Sequence, residues 1–292
     1  MKARFPHTFL TLLASALILA TLTLSAAEPG SGHLVIIGGG SRPANVTQRF
    51  IQLAGGGAAA RLVVIALASE DVDTTAKHAV EEFQALGVSR VEALPAAPEE
   101  AERVLRQVTG VYMSGGDQQR LVDEMARIKA LDALQGVWRR GGVIAGTSAG
   151  AAVMSARMIT GEERGLATED ERFRSIQAGR IATTNGFGFL TNAIVDQHFI
   201  ARKRSNRLFS AILEQPQLLG IGIDESTAVI VDPDQRCEVL GDRSVMLIDA
   251  RHAGQVRTNG DGRLAAADLR VHLLLSGDRF DLNSGRPIPN HK

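Results

Sequence analysis

Cysteine is almost absent from this chain. Cys237 is the only one, so no internal disulfide can form and the fold must hold by packing, even in an oxidising compartment. A cysteine nucleophile is disfavoured as well, because Cys237 is expected to sit in a polar, loop-like stretch with Asp234-Gln235-Arg236. Aromatic residues are scarce at 4%. The core must therefore come from Ala, Val, Leu, Ile and Gly, as in a sheet covered by helices. Neither charge dominates: 32 Lys and Arg balance 32 Asp and Glu. That balance argues against a nucleic-acid partner, which calls for a basic surface. Beyond the N-terminus no run is long and apolar enough to span a bilayer. Internal repeats, low-complexity tracts and interdomain linkers are missing too.

The N-terminus is a different matter. Lys2, Arg4 and His7 form a short basic start, and residues 9–24 are almost wholly apolar. Ser25-Ala26-Ala27 then offers small residues to a signal peptidase. Residues 1–27 thus read as a secretory signal, with an uncleaved anchor as the alternative, since the apolar stretch is long for a cleaved one. A secreted or periplasmic protein with no stable membrane association after cleavage is expected. The remaining chain of about 265 residues suits one large α/β domain. Its expected bounds are 28–282, with 283–292 as a frayed C-terminal tail.

Apolar runs alternate with helical patterns in the first half. Strands are predicted at 33–37, 61–67, 91–94, 110–113 and 142–145, and helices at 44–53, 73–86, 98–108 and 118–135. Short strands bounded by glycine and separated by helices specify a mainly parallel sheet with helices on both faces. Ligand sites in such folds lie beyond the carboxyl ends of the strands. Residues 162–174 read as a charged loop, and short strands follow at 220–224, 228–231, 244–248 and 269–275. Gly38-Gly39-Gly40 after the first strand lacks the third glycine of a dinucleotide loop, and no Walker lysine exists, so nucleotide binding is not expected.

The most informative segment is Gly146-Thr147-Ser148-Ala149-Gly150. It follows a buried strand and precedes a run of small residues, the layout of a nucleophile elbow. Gly146 and Gly150 remove Cβ atoms that would clash in such a turn. The amides that follow Ser148, starting with Ala149, can face a developing oxyanion. The alternative is an ordinary serine at a tight strand–helix junction.

A serine needs a base to attack at neutral pH. Of seven histidines, His198 has the most suitable setting, after Ala193-Ile194-Val195 and amid dense polar residues. A third group must orient the imidazole. Asp224 and Glu225 end a strand and point to opposite sides, so one can serve and spacing does not choose between them. Arg202, Lys203, Arg204 and Arg207 follow His198 closely. Read as a helix, this stretch puts Arg204 and Arg207 on one face with Arg202 at its edge. Guanidinium groups there favour a substrate rich in carboxylates.

Four motifs in order, Gly115-Gly116-Asp117-Gln118, Gly146 to Gly150, Asp196-Gln197-His198-Phe199 with its trailing arginines, and Gly222-Ile223-Asp224-Glu225, resemble the cyanophycinases. These belong to the serine peptidase family that also contains α-aspartyl dipeptidase. The resemblance spans most of residues 33–232, and the region after about 235 carries no motif. It implies a fold like a class I glutamine amidotransferase domain. It implies Ser148 as nucleophile, His198 as base, Glu225 rather than Asp224 as the acid, and oxyanion amides from Ala149, Gly115 and Gly116. It places Gln118, Asp196, Gln197, Arg202, Arg204 and Arg207 around the substrate. That substrate would be cyanophycin, a poly-aspartate backbone with arginine joined to each side-chain carboxyl, released chiefly as β-Asp-Arg dipeptides. No metal or organic cofactor is implied, and a homodimer is permitted. A zwitterionic polymer would also offer guanidinium groups to Asp117, Asp196 or the acidic residues Glu162, Glu163 and 169–171. The order serine, histidine, acid differs from that of α/β-hydrolases. The alternatives are an aspartyl dipeptidase of the same family and a non-catalytic binding protein on this fold.

Overall fold

Every residue of Leu34–Ile37 is buried, and the strand they form lies at the centre of the structure. The computed structural model describes residues 31–165 and 174–289; the expected signal segment 1–27 lies outside them. The first half alternates: β1 (Leu34–Ile37), α1 (Ala44–Leu53), β2 (Arg61–Ile65), α2 (Val72–Ala85), β3 (Arg90–Ala93), α3 (Pro98–Gln107), β4 (Gly110–Met113), α4 (Gln118–Arg127), α5 (Leu131–Arg139), β5 (Val143–Thr147) and the single turn α6 (Ala149–Ala152). The second half holds more strand: β6 (Arg157–Glu163), β7 (Ile181–Asn185), β8 (Ala193–Gln197), α7 (Ser205–Glu214), β9 (Leu219–Ile223), β10 (Thr227–Val231) and β11 (Arg236–Gly241). It ends with β12 (Val245–Asp249), β13 (Arg257–Thr258), β14 (Leu264–Ala265), β15 (Arg270–Leu274), β16 (Arg279–Asp281) and β17 (Arg286–Ile288).

Nine strands form the main sheet in the order β17-β16-β11-β10-β1-β5-β4-β2-β3. From β1 to β3 all neighbours are parallel. From β1 to β17 all are antiparallel, so the α/β sheet is mixed and its parallel half carries the crossover helices. A second sheet, β15-β12-β9-β8, has four strands and covers one face of the first. Alternation along β1 explains the sandwich. Leu34 and Ile36 join a core that includes Ile221, Ile223 and Leu247 of the second sheet. Val35 and Ile37 join the core beneath α1 and α2. A strand buried on both faces must be apolar throughout, which is why it reads as an unbroken run.

Helix starts follow their local chemistry. Asp71 accepts a hydrogen bond from Thr74 N–H at 3.0 Å, Asp117 accepts one from Arg120 N–H at 2.8 Å, and α3 opens with Pro98 and two glutamates. Three expectations need correction. The helix expected over 118–135 is two helices: Lys129 takes a φ of 53°, and Ala130 N–H closes back on Met125 O at 3.1 Å, a left-handed stop. The charged segment from 162 begins as strand, because β6 runs to Glu163 and pairs with β7. The expected tail from 283 contains β17, which pairs Arg286–Ile288 with β16. Among the described residues no helix is long and apolar enough to cross a membrane.

Beneath α1 and α2 the few aromatics meet. Phe83 is fully buried and stands edge-on to Phe50 and Tyr112, with ring centroids 5.7 and 5.3 Å away. Arg42 lies over the Tyr112 ring at 4.6 Å. Phe83→Ala should therefore lower unfolding stability by about 3–5 kcal/mol, read from the urea midpoint at unchanged m-value. A loss below about 1 kcal/mol would mean that the helices close over the cavity.

Candidate active site

The loops that follow β1, β4, β5, β8 and β9 converge at one edge of the two sheets. Ser148 occupies the sharp turn between β5 and α6, with φ 51° and ψ −111°. A non-glycine residue holds this conformation only where its surroundings enforce it. The enforcement is steric. A Cβ at Gly150 would lie 2.5 Å from the Met113 carbonyl oxygen, and one at Gly146 would strike the Gly150 backbone. Strand and helix can approach this closely only because both positions are glycine, as the elbow pattern predicted. Ser148 N–H donates to Ile37 O at 3.1 Å, tying the turn to β1.

His198 stands directly after β8, with φ 49°. Its backbone N–H donates to Gly38 O at 2.6 Å. Its Nε2 lies 2.9 Å from Ser148 Oγ, and its Nδ1 lies 2.7 Å from Glu225 Oε1. An ionised carboxylate only accepts, so Nδ1 carries the proton and Nε2 accepts from the serine hydroxyl. Glu225 rather than Asp224 faces the imidazole. Asp224 is buried; its Oδ1 accepts from Ala201 N–H at 2.9 Å and its Oδ2 lies 3.5 Å from Arg243 Nη1. The two neighbours thus face different partners, as alternation required.

Opposing influences act on the His198 imidazole. Burial is the largest and lowers its pKa; Glu225 raises it through its hydrogen bond, and the positive charges of Arg202 and Arg204 lower it further. The net direction is below the ordinary 6.5, which keeps the ring neutral at pH 7 with a lone pair toward Ser148.

Gly115 approaches the same serine: a Cβ there would sit 3.3 Å from Ser148 Cβ. Among the described residues, the N–H groups of Gly115, Gly116 and Ala149 make no backbone hydrogen bond. Gly115 and Gly116 lie on the loop after β4, and Ala149 opens α6 directly after Ser148. Gln118, at the start of α4, is buried, and its amide donates to Ile159 O at 3.2 Å and to Thr160 O. It fastens the β6–β7 hairpin rather than opening to solvent.

The arginines do not share one helix face. Residues 200–204 form turns, and α7 starts only at Ser205. Arg202 is exposed. Arg204, half-buried beside His198, donates to Gln197 O at 2.8 Å and to Gln197 Oε1. Burial first, then Arg207, push its pKa down to about 10. Arg207 is 2% exposed and grips Asp196 through two nitrogens, Nε to Oδ2 at 2.7 Å and Nη2 to Oδ1. Asp196 is equally buried. Direct substrate contact by Asp196 and Arg207, and a guanidinium subsite at Asp196, are therefore corrected: this carboxylate is already filled from within. Gln197 is buried as well. Asp117 is exposed and caps α4; Glu162 and Glu163 end β6, while residues 169–171 lie outside the described residues.

The loop after β1 lies at the strand-end edge, as expected, but its role against His198 was not foreseen. A Cβ on Gly39 would fall onto the His198 ring, and one on Gly40 would lie 2.9 Å from Glu225 Cβ. Ser226 N–H donates to Gly39 O at 2.9 Å, and the Ser41 and Ser226 hydroxyls are 2.8 Å apart. The three glycines after a strand were the signal, and they serve a side chain rather than a phosphate. Cys237 is also corrected: it lies buried in β11, where burial pushes its thiol up to about 12. Among the described residues no cluster of His, Cys, Asp and Glu could hold a metal ion.

Residues 34–239 match the sequence profile of peptidase family S51. The chain is 33% identical over 244 residues to a cyanophycinase of Nostoc sp., covering 80% of this chain and 79% of that protein. It is 34% identical over 270 residues to a cyanophycinase of Synechococcus elongatus, covering 87% and 81%. Among solved structures, a peptidase from an acI-B1 Actinobacterium superposes with TM-score 0.60 at 23% identity, covering 86% of this chain and 97% of that one. A putative Peptidase E from Listeria monocytogenes superposes at 0.51 and 17% identity, covering 73% and 98%.

NMR titration of the His198 ring should give a pKa below 6.5, and Arg202→Gln should raise it toward that value by removing a positive neighbour. An unchanged or lower value in the variant would show that solvent screens Arg202 from the imidazole.

Proposed function

The chain belongs to peptidase family S51 and is a serine-type peptidase, and from this we propose that it is a secreted cyanophycinase. One observation carries the reading: the hydrogen-bonded series Ser148, His198, Glu225 opens beside cationic Arg202 and Arg204. The substrate is multi-arginyl poly-aspartate, each unit of which presents a carboxylate and a guanidinium. Arg202 takes substrate carboxylates, and Arg204 adds positive potential from its half-buried place. Asp117 and Glu162 are the exposed acidic groups offered to guanidinium.

The chemistry follows from the atoms. His198 Nε2 removes the Ser148 proton as Oγ attacks the carbonyl carbon of the scissile amide. Glu225 holds the ring through Nδ1–H and stabilises the imidazolium that forms. The oxyanion is received by the free N–H groups of Ala149, Gly115 and Gly116. His198 then passes its proton to the departing nitrogen. Water, activated by the same ring, opens the acyl-enzyme on Ser148. The products are β-Asp-Arg dipeptides released from the chain end. Secretion rests on the basic start, apolar stretch and small-residue site within residues 1–27.

Incubation of the purified protein with insoluble cyanophycin should clear the suspension and release dipeptides. Ser148→Ala should lower the rate by roughly 10⁴-fold or more, and Glu225→Gln by about 10³–10⁴-fold. Intact polymer after incubation with folded wild-type protein, alongside cleavage of Asp-X dipeptides, would overturn the polymer assignment. Full activity in Ser148→Ala would remove the nucleophile.

A further inference from the structure

A groove follows the flank of the main sheet, between α1 and the antiparallel strands β11 and β16. Its lower part, about 330 Å³, is lined by His33, Arg49, Asp232, Arg236, Glu238 and Arg279. Its upper part, about 400 Å³, is lined by Asn45, Gln48, Arg49, Gln52, Glu238 and Leu240. Arg49 and Glu238 line both, so the two parts adjoin. The strand register gives the direction. Cys237 pairs with Val231, which pairs with Leu34, at the end of the sheet away from Ser148. Leu240 pairs with Ala228, which pairs with Ile37, at the end where the loop 38–41 meets His198 and Glu225.

The groove is charged with both signs, and its charges are not spent on each other. Among the described residues the side chains of Arg49, Glu238 and Arg279 make no hydrogen bond or ion pair. Glu238 and Arg279 are direct neighbours across β11 and β16 yet do not pair. Arg236 meets only the exposed Asp234, at 3.9 Å. Guanidinium and carboxylate groups interspersed in the lower part of the groove, and not paired across it, suit a ligand that carries both charges. A small anion would leave Asp232 and Glu238 facing it with like charge. A chain whose every unit carries one carboxylate and one guanidinium answers both sets.

We propose that this groove is a second, non-catalytic track for a strand of the same zwitterionic polymer, an inference that rests on the cyanophycinase reading. A strand held there stays beside the rim at loop 38–41, which raises the local concentration of chain at Ser148 without any new contact in the catalytic site. For an insoluble substrate this gain is larger than for a short soluble one.

The test uses the full chain carrying Ser148→Ala and washed, insoluble cyanophycin in a sedimentation assay. Adding Arg49→Glu and Arg279→Glu should weaken retention by about tenfold at low salt. With Ser148 restored, the same pair should leave cleavage of a short soluble β-Asp-Arg oligomer within about twofold of wild type. Arg279→Gln, a change at an exposed side chain, should reproduce a smaller loss and serves if the double variant melts early. Equal retention with and without these changes overturns the track and leaves the peptidase reading intact. A parallel fall in oligomer cleavage also overturns it, because the groove would then act on the catalytic site itself. No retention by Ser148→Ala, with polymer untouched by the wild type, removes both readings together.

Discussion

The buried pair of Asp196 and Arg207 is the constraint on which the catalytic edge depends. It joins the end of β8 to the first turns of α7 and closes the chain between them into a short loop. That loop carries His198 and Lys203, both at positive φ, and Arg204 as the residue before α7. Neither partner has water to fall back on, so losing one would leave a bare charge in the interior, at a cost of about 3–5 kcal/mol. Replacing such a buried pair by well-packed apolar side chains is often neutral in energy, yet it does not fix direction as a two-pronged guanidinium does. Direction is what the imidazole requires, since its two nitrogens must meet Ser148 and Glu225 at once.

Steric exclusion completes what the ion pair starts. Gly39 lies flat against the His198 ring, and Gly115 approaches the serine from another loop. Backbone bonds from His198 to Gly38 and from Ser226 to Gly39 stitch the three loops together. Their electrostatics are set in opposition: Glu225 favours the charged ring, while burial and two nearby arginines favour the neutral one. The balance lies on the neutral side without removing the carboxylate that would steady the charged form.

Much of the parallel half was legible because its inner strands β1, β2, β4 and β5 are largely buried on both faces and must be apolar, and because glycine marks strand ends. Ser148, His198 and the candidate pair Asp224 and Glu225 were legible as types and alternation, and the resemblance alone selected Glu225; that they meet needed coordinates. What stayed hidden has common causes. The helix over 118–135 breaks at Lys129, a residue with no left-handed preference, held there by packing around Met125. The β6–β7 hairpin is half-exposed and charged, so its strands lack the apolar alternation that announces them. Arg207 reads as a surface cation because arginine usually is one; only the three-dimensional position of Asp196 makes its burial affordable. Residues 286–288 include a proline, which conceals an edge strand that pairs on one side only.

The fate of Cys237 has a practical side. The thiol is enclosed in β11, and its raised pKa leaves almost no thiolate at neutral pH. Maleimides and other thiol reagents will find nothing to modify on the native surface. A cysteine introduced anywhere outside the core can then carry a fluorophore or spin label without first removing the natural one. Distances between the hairpin β6–β7 and the loop after β8 could be followed in solution on a chain otherwise unaltered.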